Sequence, residues 1–243
     1  MSDVNAIYFQ NQTFKNIAAN YAKKYNLPLT TKIPITPFIN ISNESFISFD
    51  ELFLKNNFNE GSFKNRIINF QRENLLKKAI GHKKKPYKKI LDVTGGLGHD
   101  SFLFALLGHE VTLVERNTGL CILFEEALRN LPKTTYFEKA KSKINVLNEN
   151  SEKFLNELDI YDVIYVDPMF DIKSKAGRSG QLNTMQKYLS DQSDVSITLM
   201  GGNFKRMVIK RPISFNHSKR LKPQITVKGK AVVFHVFLKN PNN

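Results

Sequence analysis

Residues 90–100, which read ILDVTGGLGHD, decide the fold of this chain. The first four residues have the composition of a buried strand, and the glycines at 95, 96 and 98 form a turn that opens a helix. In open α/β sheets a ligand binds outside the carboxyl end of such a strand, where glycines let the backbone approach it closely. The segment therefore predicts a parallel sheet with a ligand site at its edge.

Two cofactor classes compete for this turn. A dinucleotide fingerprint requires G-x-G-x-x-G, so that the helix start holds a pyrophosphate, but Ser101 stands where the third glycine is needed. The D-x-x-x-G-x-G turn of methyltransferases that bind S-adenosylmethionine (SAM) fits Asp92, Gly96 and Gly98. Glu115 ends the next predicted strand, 17 residues after Gly98, and offers a double acceptor for two ribose hydroxyls. Order and spacing together favour SAM.

Short apolar runs alternate with helical segments through the rest of this region. Strands are predicted at residues 90–93, 111–115, 144–147, 163–167 and 207–210, and helices at 101–107, 120–131, 152–158 and 181–189. Two more strands, at 224–228 and 232–238, flank a short turn and predict an antiparallel hairpin. The expected fold is α/β and Rossmann-like, with a mainly parallel seven-stranded sheet that ends in this hairpin.

The first 62 residues have a different character, rich in Asn, Thr, Ser and Pro. They contain one amphipathic helix, predicted at residues 14–25, and short apolar pairs near residues 46–49 that suggest strands. A second helix is predicted at residues 63–80, ended by Gly81. We therefore expect a small α+β extension at 1–62 and the SAM-dependent methyltransferase domain at 63–243.

Charge is unevenly distributed along the chain. Its 36 Lys and Arg exceed 22 Asp and Glu for a net charge of +14, but residues 1–89 carry +9, residues 90–170 carry −6 and residues 171–243 carry +11. An acidic centre between basic flanks is typical of a catalytic core that grips nucleic acid, although solvated lysines that serve solubility would give the same totals. Cys121 is the single cysteine, which excludes an internal disulfide. With no signal peptide or long apolar run, a cytoplasmic protein is expected.

Residues 162–170, DVIYVDPMF, place a polar tetrapeptide at the end of an apolar strand. An exocyclic amine on a base is a poor nucleophile, so a carboxylate or a main-chain carbonyl must accept its N–H bonds while nitrogen attacks the methyl group. Asp167 is the candidate for this role. Pro168 would stiffen the turn, and Phe170 would offer a face on which a base can stack. The tetrapeptide resembles the (D/N/S)-P-P-(Y/F) motif of amino methyltransferases, with Met169 at its third position.

Five segments together resemble the RsmJ family of bacterial methyltransferases. They lie at residues 92–100, 114–117, 166–170, 208–212 and 227–229. The resemblance implies a class I methyltransferase fold that uses SAM, releases S-adenosylhomocysteine and methylates N2 of a guanine in 16S ribosomal RNA. It also implies 16S ribosomal RNA or the small ribosomal subunit as partner. The apolar runs are too short to predict a membrane segment, and the sequence makes no obligate protein partner evident.

The resemblance carries the family's cofactor contacts onto positions of this chain. These are His99, Asp100, Glu115, Arg116, Asn150, Ser151 and Asp167. Two of them depart from the family, which usually has Arg where His99 stands and Ser where Asn150 stands. Both side chains can still form hydrogen bonds, so the departures bear on the geometry of binding more than on the identity of the cofactor.

Two basic segments are candidates for RNA contacts. Lys210 and Arg211 follow the fifth predicted strand and would clamp phosphate, although a routine basic loop fits equally. Lys173, Lys175 and Arg178 lie in a glycine-containing stretch that would close over the substrate or form a plain loop. No metal is expected, because the histidines lack ligand spacing and methyl transfer from a sulfonium requires none.

Two other functions remain open from the residues alone. One is a methyltransferase that acts on another amine, such as adenine N6, DNA or protein. The other is a catalytically silent RNA-binding module that retains the fold.

Overall fold

The structure is a computed structural model that describes residues 3–84, 87–168, 184–185, 187–189, 195–214 and 222–239. The chain divides into two compact units. Unit 1 comprises residues 1–60, 117–131 and 169–192, and unit 2 comprises 61–116, 132–168 and 193–243. The first division lies close to the predicted boundary at residue 62, but the predicted second domain does not fall in a single unit.

The elements whose bounds lie fully within the described residues are 12 strands and seven α-helices. The strands are β1 Ile7–Tyr8, β2 Leu29–Thr30, β3 Phe38–Asn40, β4 Phe46–Phe49, β5 Leu52–Lys55, β6 Lys89–Asp92, β7 Glu110–Val114, β8 Ile144–Leu147, β9 Val163–Val166, β10 Arg206–Pro212, β11 Ile225–Lys228 and β12 Val232–Leu238. The helices are α1 Lys15–Tyr25, α2 Gly61–Ile68, α3 Asn74–Ile80, α4 His99–Leu106, α5 Thr118–Arg129, α6 Thr135–Lys141 and α7 Val195–Met200.

Unit 2 contains a seven-stranded sheet in the order β11-β12-β10-β9-β6-β7-β8. Five neighbouring strands run parallel, namely β10, β9, β6, β7 and β8. Strand β12 pairs antiparallel with both β10 and β11. The predicted Rossmann-like sheet with its C-terminal hairpin is confirmed. The strand order changes direction at β6, the central strand that leads into the glycine turn, and such a switch point is where ligands bind.

Burial on both faces explains why the central strands read as continuous apolar runs. All four residues of β9 are buried, and Leu91, Ile164 and Met207 from three adjacent strands join one core cluster. The register aligns the carboxyl ends, since Asp92 pairs with Tyr165 and Ile209 pairs with Val166. Residues that follow these strands therefore meet at one edge of the sheet.

Several helices differ from the prediction. The single helix predicted at 63–80 is broken into α2 and α3 by a 3-10 turn at Phe70–Arg72, although Gly81 ends it in the left-handed conformation as expected. The segment 152–158 forms 3-10 turns rather than an α-helix. Helices α6 and α7 were not predicted. Of the predicted helix 181–189, the structure describes residues 184–185 and 187–189, and all of these except Leu189 are helical.

Unit 1 combines the N-terminal segment with helix α5. Its five-stranded sheet has the order β2-β1-β3-β4-β5, and helix α1 confirms the predicted amphipathic helix. The buried Glu126 of α5 accepts hydrogen bonds from Ser45 at 2.5 Å and Tyr21 at 3.0 Å. Asp3 accepts from the main-chain N–H of Thr118 at 2.8 Å, at the first turn of α5. These contacts place α5 with the N-terminal sheet, which the sequence boundary at 62 did not anticipate.

Candidate active site

The turn after β6 is organised around the buried carboxylate of Asp92. It accepts from the Ser101 hydroxyl at 2.6 Å and from the Thr94 main-chain N–H at 3.2 Å. Burial raises the pKa of Asp92 to about 7, because little water remains to solvate its charge. Gly96 and Gly98 have φ values of +54° and +73°, which side chains rarely adopt. Asp92 therefore fixes the turn from within, and the two glycines supply the left-handed backbone that the turn requires.

The glycine turn is joined directly to the end of β7. The main-chain N–H of Gly96 donates to Oε2 of Glu115 at 2.8 Å, and the N–H of Gly95 donates to the Val114 carbonyl at 3.0 Å. A Cβ atom at position 95 would lie 2.4 Å from Cδ2 of Leu113. Only glycine fits there without displacing its neighbours, so the approach of the turn to β7 depends on residue 95.

This arrangement has the donor set that SAM needs. The Glu115 carboxylate follows β7 beside a turn that carries no Cβ at residues 96 and 98, and the buried Asp92 carboxylate holds that turn. Such a turn admits an adenosine moiety close to the backbone, and a carboxylate at the next strand end suits the ribose diol. The negative charge of the region also suits a sulfonium. The described residues therefore fit SAM.

The other residues that the family resemblance assigned to the cofactor lie in different environments. His99 begins α4 and stacks on Phe63 with ring centroids 4.1 Å apart. Burial lowers its pKa to about 4, so the imidazole is neutral at pH 7. Arg116 is exposed. The side chain of Asn150 accepts from the N–H of Glu152 and so caps the 3-10 turn that begins with Ser151.

Asp167 follows β9 and lies beside the glycine turn. Its main-chain N–H donates to Oγ1 of Thr94 at 2.7 Å, and the N–H of Val93 donates to the Tyr165 carbonyl at 3.0 Å. These two bonds tie the ends of β6 and β9 together. The side chain of Asp167 is 36% exposed, whereas Pro168 is buried. The carboxylate is therefore fixed in place yet accessible at the sheet edge.

Lys210 bridges two carboxylates at this edge. Its Nζ atom lies 2.7 Å from Oδ2 of Asp100 and 2.7 Å from Oδ2 of Asp167. Asp100, on the first turn of α4, also accepts from the Tyr165 hydroxyl at 2.6 Å and from Nη2 of Arg66 at 3.2 Å. The buried Asp100 carboxylate is thus surrounded by three donors from β9, β10 and α2.

The two carboxylates that share Lys210 respond differently to their surroundings. Burial alone would raise the pKa of Asp100, but the cations of Lys210 and Arg66 outweigh it and hold that pKa below its usual range. Burial raises the pKa of Asp167, and the nearby Asp100 anion adds to the rise, against the opposing effect of Lys210. Asp100 is therefore a fixed anion, whereas Asp167 is the carboxylate better able to take up a proton.

The predicted phosphate clamp is not what the structure shows for Lys210 and Arg211. Lys210 is engaged by two carboxylates and its side chain is 21% exposed. Arg211 is buried and donates to the Ser196 hydroxyl at 2.8 Å. The prediction is wrong for Arg211, because a buried guanidinium cannot reach an RNA phosphate, and Lys210 has partners within the protein. Met169, Phe170, Lys173, Lys175 and Arg178 lie outside the described residues.

Four contributors to the site were not singled out from the sequence. They are Arg66, Thr94, Ser101 and Tyr165. Of these four, only Tyr165 could have been found from the sequence. It lies on an apolar strand, and a buried Tyr hydroxyl usually finds a hydrogen-bond partner. Arg66 comes from a helix distant in sequence, and nothing in its own segment marked it. Within the described ranges, no group of three or more His, Cys, Asp or Glu side chains is arranged to hold a metal ion.

Known proteins resemble the chain across most of its length. Residues 22–239 match the family described as "Putative SAM-dependent methyltransferase". The ribosomal RNA small subunit methyltransferase J of Coxiella burnetii (strain RSA 331 / Henzerling II) is 31% identical over 183 residues, which cover 73% of this chain and 71% of the relative. Its namesake from Francisella tularensis subsp. novicida is 29% identical over 194 residues, which cover 77% and 80%.

One solved structure shares the fold throughout. The SAM-dependent methyltransferase of Neisseria gonorrhoeae superposes with a TM-score of 0.73 at 20% identity, covering 98% of this chain and 97% of its own. At this identity the likeness concerns the fold. It extends to the N-terminal segment, because almost the whole of both chains is included.

Proposed function

Because the chain belongs to the ribosomal RNA small subunit methyltransferase J family of SAM-dependent methyltransferases, we propose that it transfers a methyl group from SAM to the exocyclic N2 amine of a guanine in 16S ribosomal RNA. The single observation that carries the chemistry is the position of Asp167. This carboxylate lies at the end of β9, fixed by Thr94 and Lys210 and open to solvent on one side.

SAM, when bound, supplies a methyl group on a sulfonium, and transfer to an amine leaves S-adenosylhomocysteine and one proton. The chain's own task is to orient the amine and receive that proton. In the proposed step the new bond joins the amine nitrogen to the methyl carbon, the carbon–sulfur bond breaks, and its electron pair stays on sulfur. Asp167 accepts an N–H of the amine during the attack and takes the proton, which then passes to water. Its raised pKa suits a proton acceptor.

The proposed cofactor position follows from the strand ends of unit 2. Glu115 would receive the ribose hydroxyls, and the turn through Gly96 and Gly98 would pass beneath the adenosine moiety. Asp100 would act less directly, since its carboxylate already accepts from Lys210, Arg66 and Tyr165. The contributions of His99, Arg116, Asn150 and Ser151 stay proposals.

The proposed substrate is 16S ribosomal RNA, free or within the small subunit, and the place of action is the cytoplasm. The names of the Coxiella and Francisella relatives support a small-subunit substrate. Exposed cations on the broken helix pair, Lys64, Arg72 and Lys78, support a phosphate-binding surface. No helix in the described part of the chain is long and apolar enough to cross a membrane.

Nucleoside analysis of ribosomal RNA tests the proposal in cells. Small-subunit RNA from a strain that lacks this protein is digested and compared by mass spectrometry with RNA from the parent strain. We expect the loss of one N2-methylguanosine, restored by the wild-type gene. A loss of methyladenosine, or a change in DNA or protein methylation alone, would favour a methyltransferase for another amine, and no change in any methylated product would favour a silent RNA-binding module.

A further inference from the structure

Lys210 lies level with Asp167 on the neighbouring strand. Strands β9 and β10 are parallel, and Val166 pairs with Ile209, so the next residue of each strand reaches the same edge of the sheet. The Lys210 ammonium contacts Oδ2 of Asp167 and Oδ2 of Asp100, both at 2.7 Å. Two of the three N–H groups of the Lys210 ammonium therefore donate to carboxylates of the protein.

We propose that Lys210 is a positioning residue of the methyl transfer site, which holds the Asp167 carboxylate by one oxygen and keeps it ionised so that the other oxygen can receive the substrate amine. The inference rests on the proposed role of Asp167. Among the described residues, Oδ2 of Asp167 accepts from Lys210 and no hydrogen bond reaches Oδ1. The Asp167 side chain is 36% exposed, which gives an incoming N–H access to the carboxylate.

Lys210 can fix Asp167 only because Lys210 is itself fixed. Asp100, its second partner, accepts from the buried Tyr165 hydroxyl at 2.6 Å and from Arg66 at 3.2 Å. Arg66 in turn forms a two-pronged ion pair with Glu73, with N–O distances of 2.7 and 3.0 Å. Planar pairs of this kind restrict both side chains strongly. A chain of charges thus runs from α2 to the sheet edge and supports the ammonium from behind.

The electrostatic role follows from the groups that face Asp167. Asp100 on α4 and Asp92 on β6 are anions or potential anions, Tyr165 on β9 is a neutral hydroxyl, and the cations are Lys210 on β10 and Arg66 on α2. Among the described residues, Lys210 is the cation in direct contact with Asp167. Burial and the Asp100 anion both raise the pKa of Asp167, and Lys210 lowers it. Without Lys210 the Asp167 carboxyl would therefore bind a proton more readily. A protonated carboxyl cannot take the proton that the amine must lose.

The test removes the charge and then restores it. Lys210→Met keeps the length of the side chain without the ammonium, Lys210→Arg keeps the charge, and Lys228→Met is the matched control on the exposed face of β11. We expect kcat of Lys210→Met at pH 7 to fall about 100-fold, the lower end of what a positioned acid–base group contributes, with the acid limb of its pH profile moved to higher pH. Lys210→Arg should recover to within a few fold, and Lys228→Met should match the wild type.

A second readout does not depend on methyl transfer. The Asp167 carboxyl is followed by ¹³C NMR titration, assigned by its absence in Asp167→Asn. We expect its midpoint to move to higher pH in Lys210→Met. Arg66→Met leaves the contact between Lys210 and Asp167 intact, so it should raise the midpoint of Asp167 by a smaller amount. This variant replaces Lys210→Met in the test if Lys210→Met does not fold.

The two readouts separate this inference from the proposed function. A wild-type protein that methylates no RNA, with the NMR midpoint shifted in Lys210→Met, would remove the proposed function and keep the link between Lys210 and Asp167. An unchanged midpoint in Lys210→Met, or in Arg66→Met where that variant alone folds, would overturn the positioning role. So would a loss of kcat with no movement of the acid limb, because a merely structural lysine would give that result.

Discussion

The main-chain N–H of Gly96 donates to Oε2 of Glu115 at 2.8 Å, which joins the turn after β6 to the end of β7. The two sequence features that suggested SAM are therefore in direct contact. The bond also orients the carboxylate, since one oxygen is directed at the turn. A side chain that binds a ligand best is one already held in its binding geometry.

Glu115→Ala should weaken SAM binding about 10-fold to 100-fold, because hydrogen bonds to a charged acceptor contribute about 1.5 to 3 kcal/mol. Isothermal titration calorimetry with SAM measures it. Glu110→Ala, at the exposed start of the same strand, is the matched control and should bind like the wild type. Equal affinity for the Glu115 variant and the wild type would remove Glu115 from the cofactor site.

Gly95→Ala should destabilise the protein by about 1 to 3 kcal/mol, the usual cost of overpacking a filled core. The new Cβ would lie 2.4 Å from Cδ2 of Leu113 and 3.2 Å from the Val114 carbonyl. Urea unfolding measures the loss. In the double variant with Leu113→Ala the two effects should be less than additive, since the smaller side chain makes room; strict additivity would show that the contact is not the cause.

His82, which precedes β6, and His109, which precedes β7, form a neutral pair. The Lys88 N–H donates to Nδ1 of the buried His109 at 3.2 Å, so the ring proton of His109 is on Nε2 and points at Nδ1 of His82, 3.0 Å away. Burial lowers the pKa of His109 to about 4, and the pKa of His82 is lowered for the same reason. Protonation of either partner is disfavoured in the folded state.

The sign of the resulting pH dependence follows from linkage. Between about pH 6.5, the ordinary pKa of histidine, and pH 4, the unfolded chain binds more protons at His109 than the folded chain. Stability from this group is present above that window and is lost as the pH falls through it. The pKa of Asp92 is raised to about 7, so its contribution to stability changes with pH in the opposite direction. The prediction is therefore made for the difference between a His109 variant and the wild type. The urea midpoint of His109→Gln relative to wild type should rise as pH falls from 6.5 to 4; a constant difference would contradict the pair.

Arg72 and Arg211 should respond to substitution in different ways. Arg72 is exposed in the turn between α2 and α3, so Arg72→Gln should lower RNA affinity and reduce the salt slope by about 1. Arg211→Met should leave that slope unchanged and destabilise the fold by about 1 to 3 kcal/mol, because Arg211 is buried against Ser196. Fluorescence anisotropy with a 16S fragment and urea unfolding give the two measurements; the reverse pattern would restore Arg211 as a phosphate contact.

Strand positions could be read from the sequence because their signal is local. Each central strand of the seven-stranded sheet is a short apolar run ended by a polar or glycine residue, and burial on both faces requires that pattern. The break between α2 and α3 could not be read in this way. Arg66 and Glu73 lie seven residues apart and pair across the 3-10 turn, a tertiary contact that overrides helix propensity.

The motif residues of the site were found for the same reason, whereas their partners were not. Asp92 ends β6, Glu115 and Asp167 directly follow β7 and β9, and the parallel sheet brings these strand ends together. Lys210 lies within β10 and was predicted to contact an RNA phosphate because of its charge. The sequence does not reveal that Asp100 and Asp167 lie 2.7 Å from its ammonium. Arg66 reaches the site from a helix, and no spacing rule connects it to the strands.

The most direct test of the account is methyl transfer by the purified protein with a single carboxylate changed. Small subunits from cells that lack the protein are incubated with labelled SAM and wild-type, Asp167→Ala or Asp159→Ala protein, the last being an exposed aspartate control. Nucleosides are then identified by mass spectrometry. We expect labelled N2-methylguanosine with the wild type and the control, and none with Asp167→Ala, whose RNA affinity stays within a few fold. Undiminished N2-methylguanosine formation by Asp167→Ala would contradict it.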